Sequence, residues 1–456
     1  MEYRLEHDSM GQVQVASDKL WGAQTQRSLE NFRIGTEKMP LEIIHAIAAI
    51  KEAAVQVNRR LLPDRMPDAK AEAIAAACGE IADGKWDDQF PLSVFQTGSG
   101  TQTNMNVNEV AAHRAEQLLG GISVHPNDDV NLSQSSNDVF PSAIHLAVLL
   151  GTRQRLVPAL ERLIASLDEL AQGHRDTIKI GRTHLMDATP VTFAQEIGGW
   201  SGLLRNAREM IYSSLTPLYR LPLGGTAVGT GLNTPEGFDS AICAILAKRL
   251  DLPLVAGENK FALMSGKDAL VFAHGALSAL AGDLWKIAND VRWLASGPRA
   301  GLGEIVLPAN EPGSSIMPGK VNPTQCEAVT MAALQVQAYQ SAISMASSQG
   351  NFQLNVFMPL IAYDYLRSID LLATAMDSFE KNCVRGIQAD KARMREHLER
   401  SLMLVTALSP QIGYEQAAKA AQYAYDRGVT LRCACEELGI LSPEAFDRLV
   451  CPEKMV

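Results

Sequence analysis

KDALVFAHGALSALAGDLWKIANDVRWLAS (267–296) decides how this chain folds. Leu270, Leu277, Leu284 and Val291 recur every seven residues, and Ala273, Leu280, Ile287 and Leu294 fill the register between them. That is an apolar seam held over more than three heptads, with Asp283, Lys286, Asn289 and Arg292 on other faces. A helix of roughly 30 residues spans about 45 Å, longer than a small domain needs.

The seam returns at Leu156, Leu160, Leu163, Leu167 and Leu170, where Pro158 is expected to bend or restart the helix. It returns again at Leu366, Ile369, Ala373 and Met376. Several such helices side by side form a bundle. The expected fold is mainly α, with an elongated central long-helix bundle at 138–390. A smaller N-terminal domain is expected at 1–137 and a small helical C-terminal domain at 391–456. Leu41–Leu62 reads as helix, the first 40 residues as polar and turn-rich, and a short helix is expected near 107–119. Two short helical patterns, 411–428 and 431–440, are parted by a glycine turn.

Composition removes other classes. With 456 residues and a 46% apolar share the chain can bury a large core. Forty-one basic residues against 51 acidic ones give a net charge of −10, which argues against a nucleic-acid or anionic-membrane binder. An anionic ligand would need a local basic pocket. No window is apolar for the eighteen or more residues of a transmembrane helix. The start, MEYRLEHDSM, lacks the layout of a secretory or transit signal, so the expected location is cytoplasmic. Seven scattered cysteines form neither a disulfide framework nor a metal quartet, and free thiols are expected.

If long helices are scaffold, chemistry belongs to the polar, glycine-bearing loops between them. Four stand out: TGSGTQTNMNVNE (97–109), HPND with SSN (125–137), GRTHLMDATP (181–190) and GSSIMPGKVNPTQCE (313–327). The last is not a Walker loop, because five residues part Gly313 from Gly319 and Val321 follows Lys320. TGSG lacks the third glycine of a dinucleotide fingerprint, so no nucleotide cofactor is indicated. The loops are instead rich in small donors: Ser99, Thr101, Ser135, Ser136, Asn137, Thr183, Ser315 and Asn322 can each bond carboxylate oxygens, and Lys320 adds charge. Any one of them alone reads as a turn or helix cap. The constellation carries the weight.

GSSIMPGKVNP (313–323) resembles the signature loop of the fumarase/aspartase superfamily. GRTHLMDATP, HPND with SSNDVFP, GGTAVGTGLN (224–233) and QGNFQLNVF (349–357) resemble class II fumarases, the cofactor-free type, over essentially the whole chain. His184 stands where the similar aspartases usually carry Gln. The resemblance implies reversible anti addition of water to fumarate, giving (S)-malate, with no metal and no cofactor. It implies that Ser314 abstracts the C3 proton and that His184, oriented by Glu327, serves the oxygen at C2. Lys320 and Asn322, with loop amides, would stabilise the second negative charge of the aci-carboxylate intermediate. Such a donor is worth about 2.7–4 kcal/mol in comparable oxyanion sites. Ser99, Thr101, Ser135, Ser136, Asn137, Thr183, Ser315, Lys320 and Asn322 would hold substrate, and His125, Asn127 and Asp128 an outer dicarboxylate site. The family assembles as homotetramers with a shared helical core and sites drawn from three subunits. Exposed apolar seams would fit that assembly.

Two positions depart from the family. Met358 stands where a basic residue is general, and Ala262 where Glu is common. They leave room for a methylfumarate (mesaconate) hydratase, beside an aspartase-like ammonia-lyase and a non-enzymatic helical structural protein, as alternatives.

Overall fold

The computed structural model describes residues 2–456. It opens with an antiparallel hairpin, β1 (Tyr3–Asp8) and β2 (Gly11–Ala16), in register from Tyr3↔Ala16 to Asp8↔Gly11. Helices α1 (Ala23–Asn31), α2 (Leu41–Leu61), α3 (Asp68–Ala82), α4 (Thr101–Leu118), α5 (Ser136–Gly151) and α6 (Val157–Gln172) follow. A second hairpin, β3 (Ile178–Thr183) and β4 (Met186–Thr192), leads to α7 (Phe193–Ser214), α8 (Phe238–Leu250), α9 (Lys260–Ser265) and α10 (Asp268–Leu294). Helices α11 (Thr324–Ser347) and α12 (Met358–Asn382) complete the long set. The chain ends in short helices α13 (Lys391–Arg400), α14 (Ser409–Ile412), α15 (Tyr414–Arg427), α16 (Leu431–Glu437) and α17 (Pro443–Leu449). The fold is mainly α, and no described helix is long and apolar enough to cross a membrane.

Contacts divide the chain into two compact units. One comprises the segment ending at Val157 with Glu209–Ala279 and Leu334–Leu372; the other comprises Pro158–Arg208, Leu280–Ala333 and Ala373–Val456.

The heptad seam of α10 is buried along its length, from Leu270 and Ala273 at 0% exposed to Leu294 at 4%. Core packing inside the chain therefore consumes this seam, as its heptad pattern suggests, so the seam of α10 is not an exposed surface that an assembly would cover. Exposed apolar residues lie elsewhere. Met331, Leu334 and Met345 form a stripe along one face of α11, and Phe272 and Trp293 project from α10. Pro158 stands where the helix restarts, at the second residue of α6. A π-helical turn at Thr152–Leu156, with right-handed helical dihedrals at both Gly151 and Val157, runs from α5 into α6. The widened turn absorbs a position that lacks an N–H.

The first 40 residues hold more regular structure than their polarity suggests. Alternating exposure along β1 and β2 marks a two-faced ribbon, and Gly11 closes its turn at φ +110°. Helix α4 begins at Thr101, six residues earlier than expected. Its asparagines 104, 106 and 108 are buried and make side-chain hydrogen bonds.

Candidate active site

The candidate residues fall into two sets, one on each unit. On the first unit they gather at the N-termini of α4 and α5. Ser99 and Thr101 share a hydroxyl–hydroxyl bond of 2.8 Å where α4 begins. The glycines beside them serve close packing: a Cβ on Gly98 would lie 1.5 Å from the Val356 carbonyl oxygen, and one on Gly100 2.3 Å from the Phe140 ring. Gly100 also takes φ +73° as the N-cap of α4. Ser135 caps α5 in a capping box, its hydroxyl accepting the Asn137 amide while Asp138 accepts the Ser135 amide. Asn104 donates to the Ser136 hydroxyl at 3.1 Å, joining the two helix starts, and Asn137 donates to the Ala227 carbonyl at 2.8 Å. Two helix N-termini lined with hydroxyls suit an anion.

Behind this cluster lies a residue absent from the expected set. Lys51 of α2 is fully buried, its ammonium donating to the Asn131 side-chain oxygen at 3.1 Å, and that oxygen also accepts from Asn104 at 3.2 Å. Burial pulls its pKa down to about 7. The signal was present in the sequence, as a lone lysine on the apolar face of LEIIHAIAAIKEAAVQVN (41–58). A charge there needs a partner.

Asp138 is also fully buried and ties the SSN turn to the GGTAVGTGLN loop. Its carboxylate accepts amides of Ser135 at 2.9 Å, Gly224 at 3.0 Å and Thr226 at 2.9 Å. Burial pushes its pKa up to about 6 against the pull of those amides. Between the ordinary value of 3.8 and about 6, the folded chain keeps a proton that the unfolded chain has released. This group's contribution to stability therefore falls as pH rises through that window and is level above it. Asp138→Asn is expected to cost about 1–3 kcal/mol at pH 7, because an amide nitrogen must then face at least one N–H that the carboxylate accepts. A lowered urea midpoint would report it.

His125, Asn127 and Asp128 form a capped turn. The His125 ring accepts the Asp128 amide at 3.1 Å and stands 3.3 Å from its carboxylate. Asn127, Asp128 and Ser135 line a common cavity of about 740 Å³ with Thr226.

On the second unit, GRTHLMDATP is a hairpin, not a loop. Thr183 pairs with Met186, leaving His184 and Leu185 as a two-residue turn with φ +57° and +60°. Two successive positive φ values are the pattern of a type I′ turn, which side chains such as these adopt at a cost in strain. A bulge at Gly181 shifts the register, and a Cβ there would lie 2.6 Å from the Thr189 carbonyl. Thr183 and His184 are exposed at the tip.

The hairpin stands on buried charge. Glu304, 0% exposed, receives Arg182 at 2.5 Å and His397 at 2.9 Å on one oxygen. Lys179 stands 3.2 Å from the other oxygen, an ionic contact without hydrogen-bond geometry, and 3.1 Å from Glu196. Burial would raise the Glu304 pKa, but the Arg182 bond and the Lys179 charge hold it below the usual carboxylate range.

The signature loop is pinched at its neck. The Asn322 side chain donates to the Gly313 carbonyl, and a Cβ on Gly313 would lie 2.1 Å from the Lys320 carbonyl oxygen. Inside the loop the Ser314 hydroxyl oxygen accepts two amides, Ile316 at 3.3 Å and Met317 at 3.1 Å. Ser315 and Lys320 are exposed on the same loop, and Glu327 is exposed in the first turn of α11. His184 and Glu327 share no hydrogen bond among the described residues of the chain, so the expected base-and-orienter contact is not formed within one copy.

The family model described as Lyase matches residues 11–338, and that described as Fumarase C C-terminus matches 404–456. The class II fumarate hydratase of Bacillus subtilis (strain 168) is 54% identical over 460 residues, covering 100% of this chain and 99% of the relative. The chain belongs to the class II fumarate hydratase family. The class II fumarate hydratase of Chromobacterium violaceum is 55% identical, covering 99% of both chains. A crystal structure of recombinant class II fumarase from Schistosoma mansoni matches with a TM-score of 0.96 at 44% identity, over 100% of this chain and 99% of that one. A fumarate lyase:delta crystallin from Brucella melitensis bound to cobalt also matches at a TM-score of 0.96, with 40% identity and the same coverage.

Met358, which the resemblance marked as a departure, adjoins the candidate turn at 98–101. It is 0% exposed as the first residue of α12, and its amide donates to the Gly98 carbonyl at 3.0 Å. The side chain is core, and its effect on the site runs through the packing of the 98–101 turn. Ala262 is exposed on the short helix α9.

Proposed function

We propose that the chain carries out its family's reaction, the reversible hydration of fumarate to (S)-malate, with Ser314 taking the C3 proton and His184 serving the oxygen at C2. The obstacle is a weakly acidic C–H beside a carboxylate that is already negative. A serine is a base for this only if its alkoxide is stabilised. The observation that supports the role is the pair of amides donated to the Ser314 oxygen, since hydrogen bonds to a charged form lower the pKa that produces it.

In this reading Lys320 and Asn322 receive the charge that develops on the carboxylate, and Ser315 adds a donor. Ser99, Thr101, Ser135, Ser136, Asn137 and Thr183 hold the dicarboxylate. Glu327 orients His184 across a boundary between copies, and His125, Asn127 and Asp128 hold a second dicarboxylate. The active form is a homotetramer whose sites are shared. Support comes from the exposed apolar stripe of α11, where Met331 and Met345 are each 66% exposed. A cytoplasmic location is supported by seven unpaired cysteines.

The test is turnover of (S)-malate by purified, metal-free protein, followed by ultraviolet absorbance of the new double bond, beside parallel assays with aspartate and a methylmalate. Malate is expected to be the preferred substrate. Turnover of aspartate alone would sink the reading.

A further inference from the structure

A dianion approaching a chain of net charge −10 needs a cation to draw it in. The cavity of about 740 Å³ beside the Ser135 cap is lined by neutral polar and apolar groups, by Asp128 and by Arg65. Among its lining residues Arg65 is the only cation and Asp128 the only anion. Asp128 has a nearby partner in His125, at 3.3 Å. The Arg65 guanidinium is exposed and makes no hydrogen bond or ion pair among the described residues.

Its position is fixed although its charge is unpaired. Arg65 sits in the connection between α2 and α3, where its amide and that of Met66 both donate to the Leu62 carbonyl, at 3.0 and 2.9 Å. Met66 is fully buried and anchors the turn. On one side, Asn58 of α2 donates to the Leu132 carbonyl at 2.9 Å and accepts the Ser133 hydroxyl at 2.9 Å. On the other, Lys70 of α3 reaches Asp129 at 2.9 Å. Both ends of the connection are thus tied to the segment that runs from the HPND turn to the Ser135 cap.

We propose that Arg65 is the recruiting residue of this cavity, drawing a dicarboxylate towards the hydroxyl-lined start of α5. This rests on fumarate and (S)-malate being the substrates. Recruitment by a single fixed charge predicts an effect on capture, not on chemistry, and one that salt suppresses. The range of such a charge shrinks from about 30 Å at 0.01 M ionic strength to about 8 Å at 0.15 M.

The experiment compares the parent chain with Arg65→Ala and Arg65→Lys, in both reaction directions, at 0.01 M and 0.5 M salt. At low salt kcat/KM of Arg65→Ala is expected to fall about tenfold, with the loss in KM. Arg65→Lys should recover most of it, and the gap should close at high salt. A kcat/KM for Arg65→Ala within twofold of the parent at low salt overturns the proposal, as does an equal loss in Arg65→Lys. If the parent itself turns over no fumarate, the functional reading fails separately. Calorimetric titration with succinate then decides on Arg65: about tenfold weaker binding by Arg65→Ala upholds it, and equal affinity overturns it.

Discussion

Replacing Ser314 with alanine is expected to lower the rate of fumarate formation from (S)-malate at least about a hundredfold, as removal of a general acid–base group commonly does. The structure makes the substitution clean. Ser314 lies on a loop whose neck is closed by Gly313, Lys320 and Asn322, none of which needs the hydroxyl. Its oxygen accepts two amides of its own loop, so its loss frees two N–H groups close to solvent and should alter global stability by no more than about 0.5 kcal/mol. A parental melting temperature with lost turnover is the expected pair of results. Near-parental turnover would remove Ser314 from the mechanism while leaving the fold intact.

His184→Asn is expected to produce a loss of the same order through the other half of the reaction. Asparagine is the suitable replacement because His184 holds φ +57°, and asparagine tolerates that left-handed conformation better than most residues. The turn survives and the imidazole does not. If Ser314 removes the C3 proton before the C2 oxygen departs, the two variants should differ in solvent exchange. His184→Asn should still exchange the malate C3 hydrogen with deuterated water, seen by NMR, whereas Ser314→Ala should not. Equal exchange in both variants would contradict the division of labour.

Much of the architecture was legible because long helices write their packing into the sequence. The α10 pattern read as 267–296 is helical over Asp268–Leu294, and the helix read at Leu41–Leu62 ends one residue earlier. What escaped was structure held by polar bonds. The start of α4 is hidden in TQTNMN, whose asparagines are interior and bonded to one another's loops. The hairpin under His184 looks like a loop because its turn uses His184 and Leu185 where Asn-Gly would announce it. The four candidate loops were visible from their composition. Of their supports, Lys51 left a trace as a lone lysine on an apolar helix face, whereas the burial of Asp138 and Glu304 did not show, because a buried charge is identified by its partners, and Gly224, Thr226 and Arg182 lie far away in the chain.

The Glu304 cluster has a consequence for anyone shortening this protein. His397, on α13, grips the same carboxylate oxygen that holds Arg182, two positions before His184. Trimming the tail ahead of α13 would therefore unclamp the hairpin that carries His184, encoded far upstream, leaving Arg182 and Lys179 to share Glu304 without His397. Tags and fusions belong beyond the tail, not in place of it.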